Sequence, residues 1–220
     1  MRKILCAFVV IILIVPTLSC MRAPQRIGNS TSKYYIEQEL ARRSGLHEVS
    51  WSPNNQYVAF TDQSADMLLN LYVWKVGEDE LIRTDLKGNL YHLNWSPDSR
   101  FFTVNEGVSM IGHTYIVLAE EEEIVDGVSN VVGPIWSPDS DKLLISIESG
   151  IQANFPEDLD YTLDLATYDL KTGTTTILKK GESNYYYLPK AWNKDNQIEY
   201  EKKHMGSNRN EVLKETLPSK

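Results

Sequence analysis

A tryptophan-led motif recurs four times along this chain, and no other feature constrains its fold as strongly. The copies begin at Trp51, Trp95, Trp136 and Trp192, at intervals of 44, 41 and 56 residues. In each copy a short turn-forming segment follows the tryptophan, and a strand-like run of residues follows the turn. A period of this length predicts a chain built from similar small units packed side by side.

The residues after each tryptophan have the chemistry of a tight turn. The copies read Trp51-Ser52-Pro53-Asn54-Asn55, Trp95-Ser96-Pro97-Asp98-Ser99, Trp136-Ser137-Pro138-Asp139-Ser140 and, in a worn form, Trp192-Asn193-Lys194-Asp195-Asn196. Proline fixes φ at the second position of a turn, and Asp or Asn can hydrogen-bond the backbone two residues on. The last residue of each copy is expected to have a positive φ, which Asn tolerates better than Ser. We therefore interpret the following residues as a structural repeat: Trp51, Pro53, Trp95, Pro97, Asp98, Trp136, Pro138, Asp139 and Trp192.

Apolar, β-branched and aromatic runs follow the turns, for example at 101–104 and 143–147. Such runs are typical of strands that are buried on both faces. Further strand-like segments in hairpin order lie between the motifs and give about four strands per repeat. The sequence thus predicts an all-β fold, a small β-propeller or propeller-like arc of about four blades, with each tryptophan in the core between adjacent blades.

The motif resembles the repeat of TolB-like and WD-repeat-like propellers, which reads Trp-Ser-Pro-Asp-Gly before a hydrophobic strand. The resemblance covers roughly residues 46–200. The chain departs from that pattern at the glycine, which every copy lacks, and at the proline of the fourth copy, which is Lys194. The resemblance implies partner docking of the kind that TolB-like propellers perform.

The end of the repeat array poses a closure problem, because only about two strands are expected after Trp192. An unpaired sheet edge invites aggregation. We hypothesise that residues 34–40 add a strand to the last blade and close a four-bladed ring. Residues 36–43 of the same region are also the one candidate helix. The alternative to a closed ring is an open arc completed by a partner or a second copy.

The amino terminus resembles the signal peptide of a bacterial lipoprotein. Arg2 and Lys3 precede an apolar run of 12 residues, 4–15, and Leu18-Ser19 stands directly before Cys20. Such a run suits a signal peptide and is too short to span a membrane. The family is cut before the cysteine, so we expect a signal peptide over 1–19, lipidation at Cys20, a flexible tether over 20–33 and a propeller domain over 34–220. A plain secretory signal and an uncleaved anchor helix are the alternatives.

Composition and motif content exclude several classes of function. The chain has 22 Lys and Arg against 30 Asp and Glu, a formal charge of -8, which argues against binding nucleic acid through its phosphates. Its two cysteines and four histidines lack the spacing of a metal site. Neither a Gly-x-Ser-x-Gly elbow nor a glycine-rich phosphate loop occurs. We therefore expect no metal, no cofactor and no enzymatic activity.

Two segments are candidates for partner contact. The longest interval between motifs contains Ile151, Phe155 and Pro156 among acidic residues, and long loops on rigid scaffolds often bind partners. Tyr185 and Tyr186 precede the fourth motif, in a run of three tyrosines of which at least one is expected in the core. The sequence predicts a lipid-anchored extracytoplasmic protein, at the cell membrane or outer membrane, that binds a protein or another envelope component. The alternative is a lipoprotein that binds a glycan, peptide or ion and presents it to a transporter.

Overall fold

The computed structural model describes residues 31–107, 111–154, 159–207 and 209–218. Within these ranges one helix, α1 (Lys33–Ala41), precedes fourteen strands. In chain order the strands are β1 (Leu46–Trp51), β2 (Tyr57–Gln63), β3 (Leu69–Lys75), β4 (Leu81–Gly88), β5 (Leu90–Trp95), β6 (Phe101–Glu106), β7 (Ile111–Leu118), β8 (Glu123–Trp136), β9 (Lys142–Gln152), β10 (Tyr161–Asp169), β11 (Thr174–Lys179), β12 (Tyr185–Trp192), β13 (Gln197–His204) and β14 (Asn210–Thr216). The expectation of a mostly β chain is confirmed.

The strands form three antiparallel sheets, each in simple sequence order. The first contains β1–β4, the second β5–β11 and the third β12–β14. The long strand β8 pairs with β7 up to Val131 and with β9 from Val131 onward, so it ends one four-stranded meander and begins the next. We therefore describe four units: β1–β4, β5 to the first part of β8, the rest of β8 to β11, and β12–β14.

The four turns that follow the tryptophans have the predicted backbone. Asn55, Ser99, Ser140 and Asn196 all have positive φ, between 54° and 65°. After the turns, β2, β6 and β9 each bury a run of four or more consecutive residues. Consecutive burial means that both faces of these strands are covered, as the sequence predicts.

Neighbouring units pack face to face through aromatic and aliphatic side chains. Trp95 joins Tyr57 of the first unit and Phe102 of the second in one core cluster. Trp136 joins Ile116 of the second unit in the next cluster. The prediction that the tryptophans lie between units is confirmed for these two, which are 7% and 5% exposed.

The prediction that residues 34–40 form a closing strand is wrong. They lie in α1, where the Ser32 hydroxyl accepts from the backbone N–H of Tyr35 at 3.2 Å and caps the helix. Ile36 and Leu40, one helical turn apart, are buried against Phe60 and Trp74 on the first sheet. The helix thus covers the face that has no preceding unit to cover it.

The fourth unit covers the other end of the array with a charged surface. Ile198 and Tyr200 point towards the third unit, so the alternating residues Glu199 and Glu201 of β13 lie on the opposite face. These carboxylates pair with lysines of the flanking strands, Lys214 and Lys190, both at 2.8 Å. No strand pairing joins the first and last sheets within the described residues. The first sheet is therefore covered by α1, and the outer face of the last sheet is charged, as in the cap of a repeat protein.

Candidate functional site

Two hydrogen bonds join the first and second units at the end that carries the Trp-Ser-Pro turns. The indole Nε1–H of Trp95 donates to the Ser50 carbonyl at 3.0 Å. The backbone N–H of Asn54 donates to the Ser99 hydroxyl at 3.1 Å. The motif of the second unit is therefore bonded directly to the motif of the first.

The second and third units repeat both bonds. Trp136 Nε1–H donates to the Asn94 carbonyl at 3.0 Å, and the backbone N–H of Asp98 donates to the Ser140 hydroxyl at 3.1 Å. This explains why serine stands where the propeller repeat usually has glycine. Glycine would adopt the positive φ more easily, but it has no hydroxyl to receive the neighbouring N–H.

The third and fourth units lack both bonds. Trp192 Nε1–H donates to the side chain of Asn196 in its own turn, at 2.9 Å. The Asn196 amide in turn donates to the carbonyls of Leu217 and Pro218, each at 3.3 Å. Trp192 and Asn196 thus bond within the fourth unit and its tail, and this interface is not joined at the motif end.

A cleft of about 450 Å³ opens where those bonds are missing. Its volume lies within the range of about 300–1,000 Å³ that is usual for ligand sites. The third unit contributes Asp139, Thr176 and Leu178 to its lining, and the fourth contributes Trp192, Lys194 and Leu217. Deeper in the same interface, Leu144, Leu165 and Ile198 remain closely packed. The cleft is therefore a surface opening above an intact core.

Asp139 differs from its counterparts in the first two motifs. There the Asn54 and Asp98 side chains each accept from the serine hydroxyl of their own turn, at 2.8 and 2.6 Å. In the third motif the Ser137 hydroxyl donates instead to Asp141, at 3.1 Å. Within the part of the chain that the structure describes, neither the carboxylate nor the backbone N–H of Asp139 has a hydrogen-bond partner, and the carboxylate has no ion pair.

The electrostatic contrast with Asp98 is equally clear. Burial raises the pKa of Asp98, but hydrogen bonds from Ser96 and Arg100 outweigh it and hold the pKa below its usual value. Asp98 is thus committed to its own turn. Asp139 lies exposed at the cleft, where its charge is available to a ligand.

Two lysines complete the charge of the cleft. Lys142 is 3.6 Å from Asp169, which offsets its charge. Lys194, in the worn fourth motif, is exposed and makes no ion pair among the described residues. The cleft therefore offers one free carboxylate, one free ammonium group and apolar walls.

The predicted contact residues that the structure describes, Ile151, Tyr185 and Tyr186, do not line this cleft. Ile151, near the end of β9, is 41% exposed, whereas Tyr186 is 4% exposed and packs with Val131 and Met205. Tyr186 thus has no ring surface left for a partner, which agrees with the expectation of at least one core tyrosine. Cys20, Phe155 and Pro156 lie outside the described residues.

Tyr185 is half-buried in a polar setting. The Lys202 ammonium lies 3.6 Å from its ring centroid. A hydrogen bond to Glu182 and partial burial raise the pKa of its hydroxyl. These contacts lie within the fourth unit and explain how Tyr185 packs there. A contact between Tyr185 and a partner remains a prediction.

No group of three or more His, Cys, Asp or Glu side chains that could hold a metal ion occurs in the described ranges. Nor does any helix within them combine the length and apolar character needed to cross a membrane.

Comparison with known proteins identifies the fold. Neither a protein-family model nor a curated protein sequence matches the chain. Among solved structures, the β-propeller domain of the trilobed protease from Pyrococcus furiosus, described as an open velcro topology, matches with a TM-score of 0.56 at 16% identity, over 78% of this chain and 55% of that one. A putative TolB from Agrobacterium tumefaciens matches with a TM-score of 0.51 at 11% identity, over 78% and 62%. Acylaminoacyl peptidase from Pyrococcus horikoshii matches with a TM-score of 0.56 at 13% identity, over 77% and 31%.

These matches show a β-propeller fold, of the kind found in TolB, and at such identities they carry the fold alone. The chain spans about half of the trilobed protease chain, under two thirds of the TolB chain and about a third of the peptidase.

The matches also correct the prediction that the chain is not an enzyme. Besides the acylaminoacyl peptidases, a prolyl endopeptidase structure matches with a TM-score of 0.53 at 12% identity, over 82% of this chain and 33% of that one. The same propeller architecture therefore occurs within catalytic proteins. Absence of a catalytic motif from the repeats does not separate this chain from them, since fold does not fix function.

Proposed function

We propose that this chain is a lipid-anchored, extracytoplasmic propeller-like protein that binds another protein or envelope component. The observation that carries the proposal is the cleft between the third and fourth units, the one motif-end junction among the described units at which the inter-unit bonds are missing. Binding sites favour concave surfaces on rigid scaffolds. The likeness to a putative TolB structure supports an envelope protein of this fold.

The four units serve in this proposal as blades of an open arc. Buried Ile36 of α1 covers the first sheet, and the ion pairs of Glu199 and Glu201 make the last sheet polar. One end face of the arc is therefore covered by a helix and the other is polar, as in capped repeat proteins. The arc leaves its inter-unit cleft accessible from outside.

Membrane attachment in this proposal comes from the lipid on Cys20. Two or three acyl chains anchor a protein stably, whereas a single chain is marginal. The negative charge of the chain would not itself attract anionic lipid headgroups. The expected tether, residues 20–33, overlaps the start of α1 at its cap Ser32 and its first residue Lys33. In this proposal the tether holds the arc near the membrane while the cleft remains free to bind.

A second candidate function is binding of a small ligand, such as a glycan, peptide or ion, for delivery to a transporter. The volume of the cleft, about 450 Å³, favours it because a small molecule would fill that space.

The anchor is tested with a Cys20→Ala variant of the full chain, expressed in a bacterium and separated into membrane and soluble fractions. We expect the unaltered chain in the membrane fraction and the variant outside it. Retention of the variant in the membrane fraction would contradict lipid anchoring.

Partner binding is tested by crosslinking intact cells and identifying co-purified envelope proteins. A Thr176→Tyr variant fills the cleft, since Thr176 pairs with the cleft residue Thr167, and Thr175→Tyr is the matched control on the opposite face of β11. We expect Thr176→Tyr alone to lose the partner. Equal recovery with both variants would place the contact elsewhere, and a variant lacking residues 150–160 would then test the segment that contains Ile151.

A further inference from the structure

We propose that the cleft between the third and fourth units binds an extended peptide segment bearing a basic side chain, with Asp139 as its principal contact. This inference deepens the proposed function and rests on it. It specifies what a partner must present at the cleft, and it assigns the recognition to one residue of the third motif.

The first step concerns the backbone N–H of Asp139. At the equivalent positions of Asn54 and Asp98, this N–H donates to the serine hydroxyl of the next unit. In the fourth unit that position is Asn196, whose side chain is bonded to Trp192 and the chain tail. The Asp139 N–H therefore points to a place that an oxygen atom occupies in the two preceding interfaces, and a peptide carbonyl can fill it.

The second step concerns charge. The carboxylate of Asp139 is released from its turn because Ser137 donates to Asp141 instead. Among the residues lining the cleft, Lys142 is offset by Asp169. A Lys or Arg side chain of a ligand would form a charge-assisted hydrogen bond with Asp139. The net charge of -8 over the chain also favours the approach of a basic segment.

The third step concerns the apolar wall. Leu178, Leu217 and the half-buried ring of Trp192 border the same cleft. The aliphatic stem of a Lys or Arg side chain packs well on such surfaces while its charged end stays solvated. A single Lys or Arg residue of a peptide thus matches all three features: its backbone carbonyl accepts from the Asp139 N–H, its charged end meets the Asp139 carboxylate, and its stem packs on the apolar wall.

Other occupants match fewer of these features. A neutral glycan supplies oxygen acceptors for the N–H but no cation for the carboxylate. A second copy of the chain would present a surface of the same negative sign, and like charges disfavour association. Lys194, which has no ion pair within the described residues, limits the ligand to few basic residues rather than a long basic run.

The test uses the full chain, purified in detergent from whichever cell fraction contains it, and a phage-displayed library of random dodecapeptides as the probe. Peptides enriched on the unaltered chain are synthesised and their affinities measured by fluorescence anisotropy. The same peptides are measured on Asp139→Asn, which keeps the N–H and removes the charge, and on Asp98→Asn, the matched change in the second motif. Thr176→Tyr and Thr175→Tyr form a second pair, and circular dichroism checks that every variant folds.

We expect the enriched peptides to share a Lys or Arg residue. Asp139→Asn should raise the dissociation constant by about 10- to 100-fold, since charge-assisted bonds are the strong ones, and Asp98→Asn should leave it unchanged. Thr176→Tyr should abolish binding, and Thr175→Tyr should not. Added salt should weaken the binding that remains, because the cleft is exposed.

The proposal is overturned if the selected peptides carry no basic residue, if Asp139→Asn and Asp98→Asn behave alike, or if Thr176→Tyr binds as well as Thr175→Tyr. It is also overturned if no peptide is enriched while a glycan array yields a ligand that Thr176→Tyr excludes. These outcomes are independent of the cellular experiments, because a chain that is not lipid-anchored would still select basic peptides in detergent.

Discussion

Replacing Trp95 with phenylalanine isolates the contribution of an indole N–H that joins two units. The change removes the donor to the Ser50 carbonyl at 3.0 Å and keeps an aromatic ring between Tyr57 and Phe102. The Ser50 carbonyl lies in a half-buried position, and leaving it without its partner costs about 1–3 kcal/mol. The smaller ring also leaves a cavity, at a cost on the order of 1 kcal/mol. We therefore expect a loss of about 2–4 kcal/mol in the free energy of unfolding.

The matched variant is Trp192→Phe. Its indole N–H donates to the Asn196 side chain within a half-exposed turn, where water can replace the lost bond. We expect this change to cost less than about 1 kcal/mol. Both variants are compared with the unaltered chain by urea unfolding, followed by far-ultraviolet circular dichroism so that the changed tryptophan does not affect the signal.

The same comparison can be made by heating. For a chain of this size a loss of 2–4 kcal/mol corresponds to a decrease of about 4–16 °C in the thermal midpoint. The reasoning is refuted if Trp95→Phe and Trp192→Phe lower the free energy of unfolding by the same amount within about 0.5 kcal/mol. Equal losses would mean that the bond between units adds no more than the bond within a turn.

Three further predictions concern the ends of the array and its turns. Ile36→Ala should lower the free energy of unfolding by about 2–5 kcal/mol, because α1 covers the first sheet with this buried side chain. Tyr34→Ala is the control, since Tyr34 is 68% exposed. Equal losses in urea unfolding would contradict the role of the helix. Ser140→Ala should cost about 0.5–1.5 kcal/mol through its lost hydroxyl and Ser140→Gly less, because glycine relieves the positive φ; the reverse order would contradict this account. The hydrogen bond from Lys87 lowers the pKa of Asp66 to about 2. The stabilisation of the fold by ionised Asp66 should therefore be complete above about pH 4 and disappear as the pH falls through about 2. Thermal midpoints of an Asp66→Asn variant should approach those of the unaltered chain over that interval, and a constant difference would contradict this prediction.

The strands and turns could be predicted because their signals are local. The positive φ of Ser99 and Ser140 follows from a proline-led turn in which that position must be left-handed. The burial of β6 and β9 on both faces follows from an unbroken apolar run. These features depend on residues a few positions apart, which one sequence displays directly.

For the amino-terminal segment the sequence leaves two predictions open, a closing strand over residues 34–40 and a helix over residues 36–43, and the structure agrees with the helix. Tyr34, Tyr35 and Ile36 favour a strand by composition, yet the segment is helical. The decisive contact is tertiary, because Ile36 and Leu40 lie on one face of a helix that meets the uncovered first sheet. Propensity is a weak guide when a large apolar face must be buried.

The cleft was hidden for a different reason. The sequence identifies Asp139 as a turn residue, but its carboxylate is unbonded only because Ser137 donates to Asp141 rather than to Asp139. The sequence signal was present in the fourth motif, where Asn193 and Lys194 replace serine and proline. A worn repeat indicates an interface that differs from the others, but not which bonds are missing.

The position of the cleft follows from the way that repeat proteins distribute stability. Each interface contributes separately, so one of them can weaken without unfolding the array. The third interface keeps its deep packing through Leu144, Leu165 and Ile198, and the Ser146 hydroxyl donates to the Tyr187 carbonyl at 2.8 Å. It gives up only the two bonds at its motif end. A cleft can therefore form there at the cost of two hydrogen bonds, whereas a cleft in the first or second interface would require removing a buried tryptophan from its carbonyl.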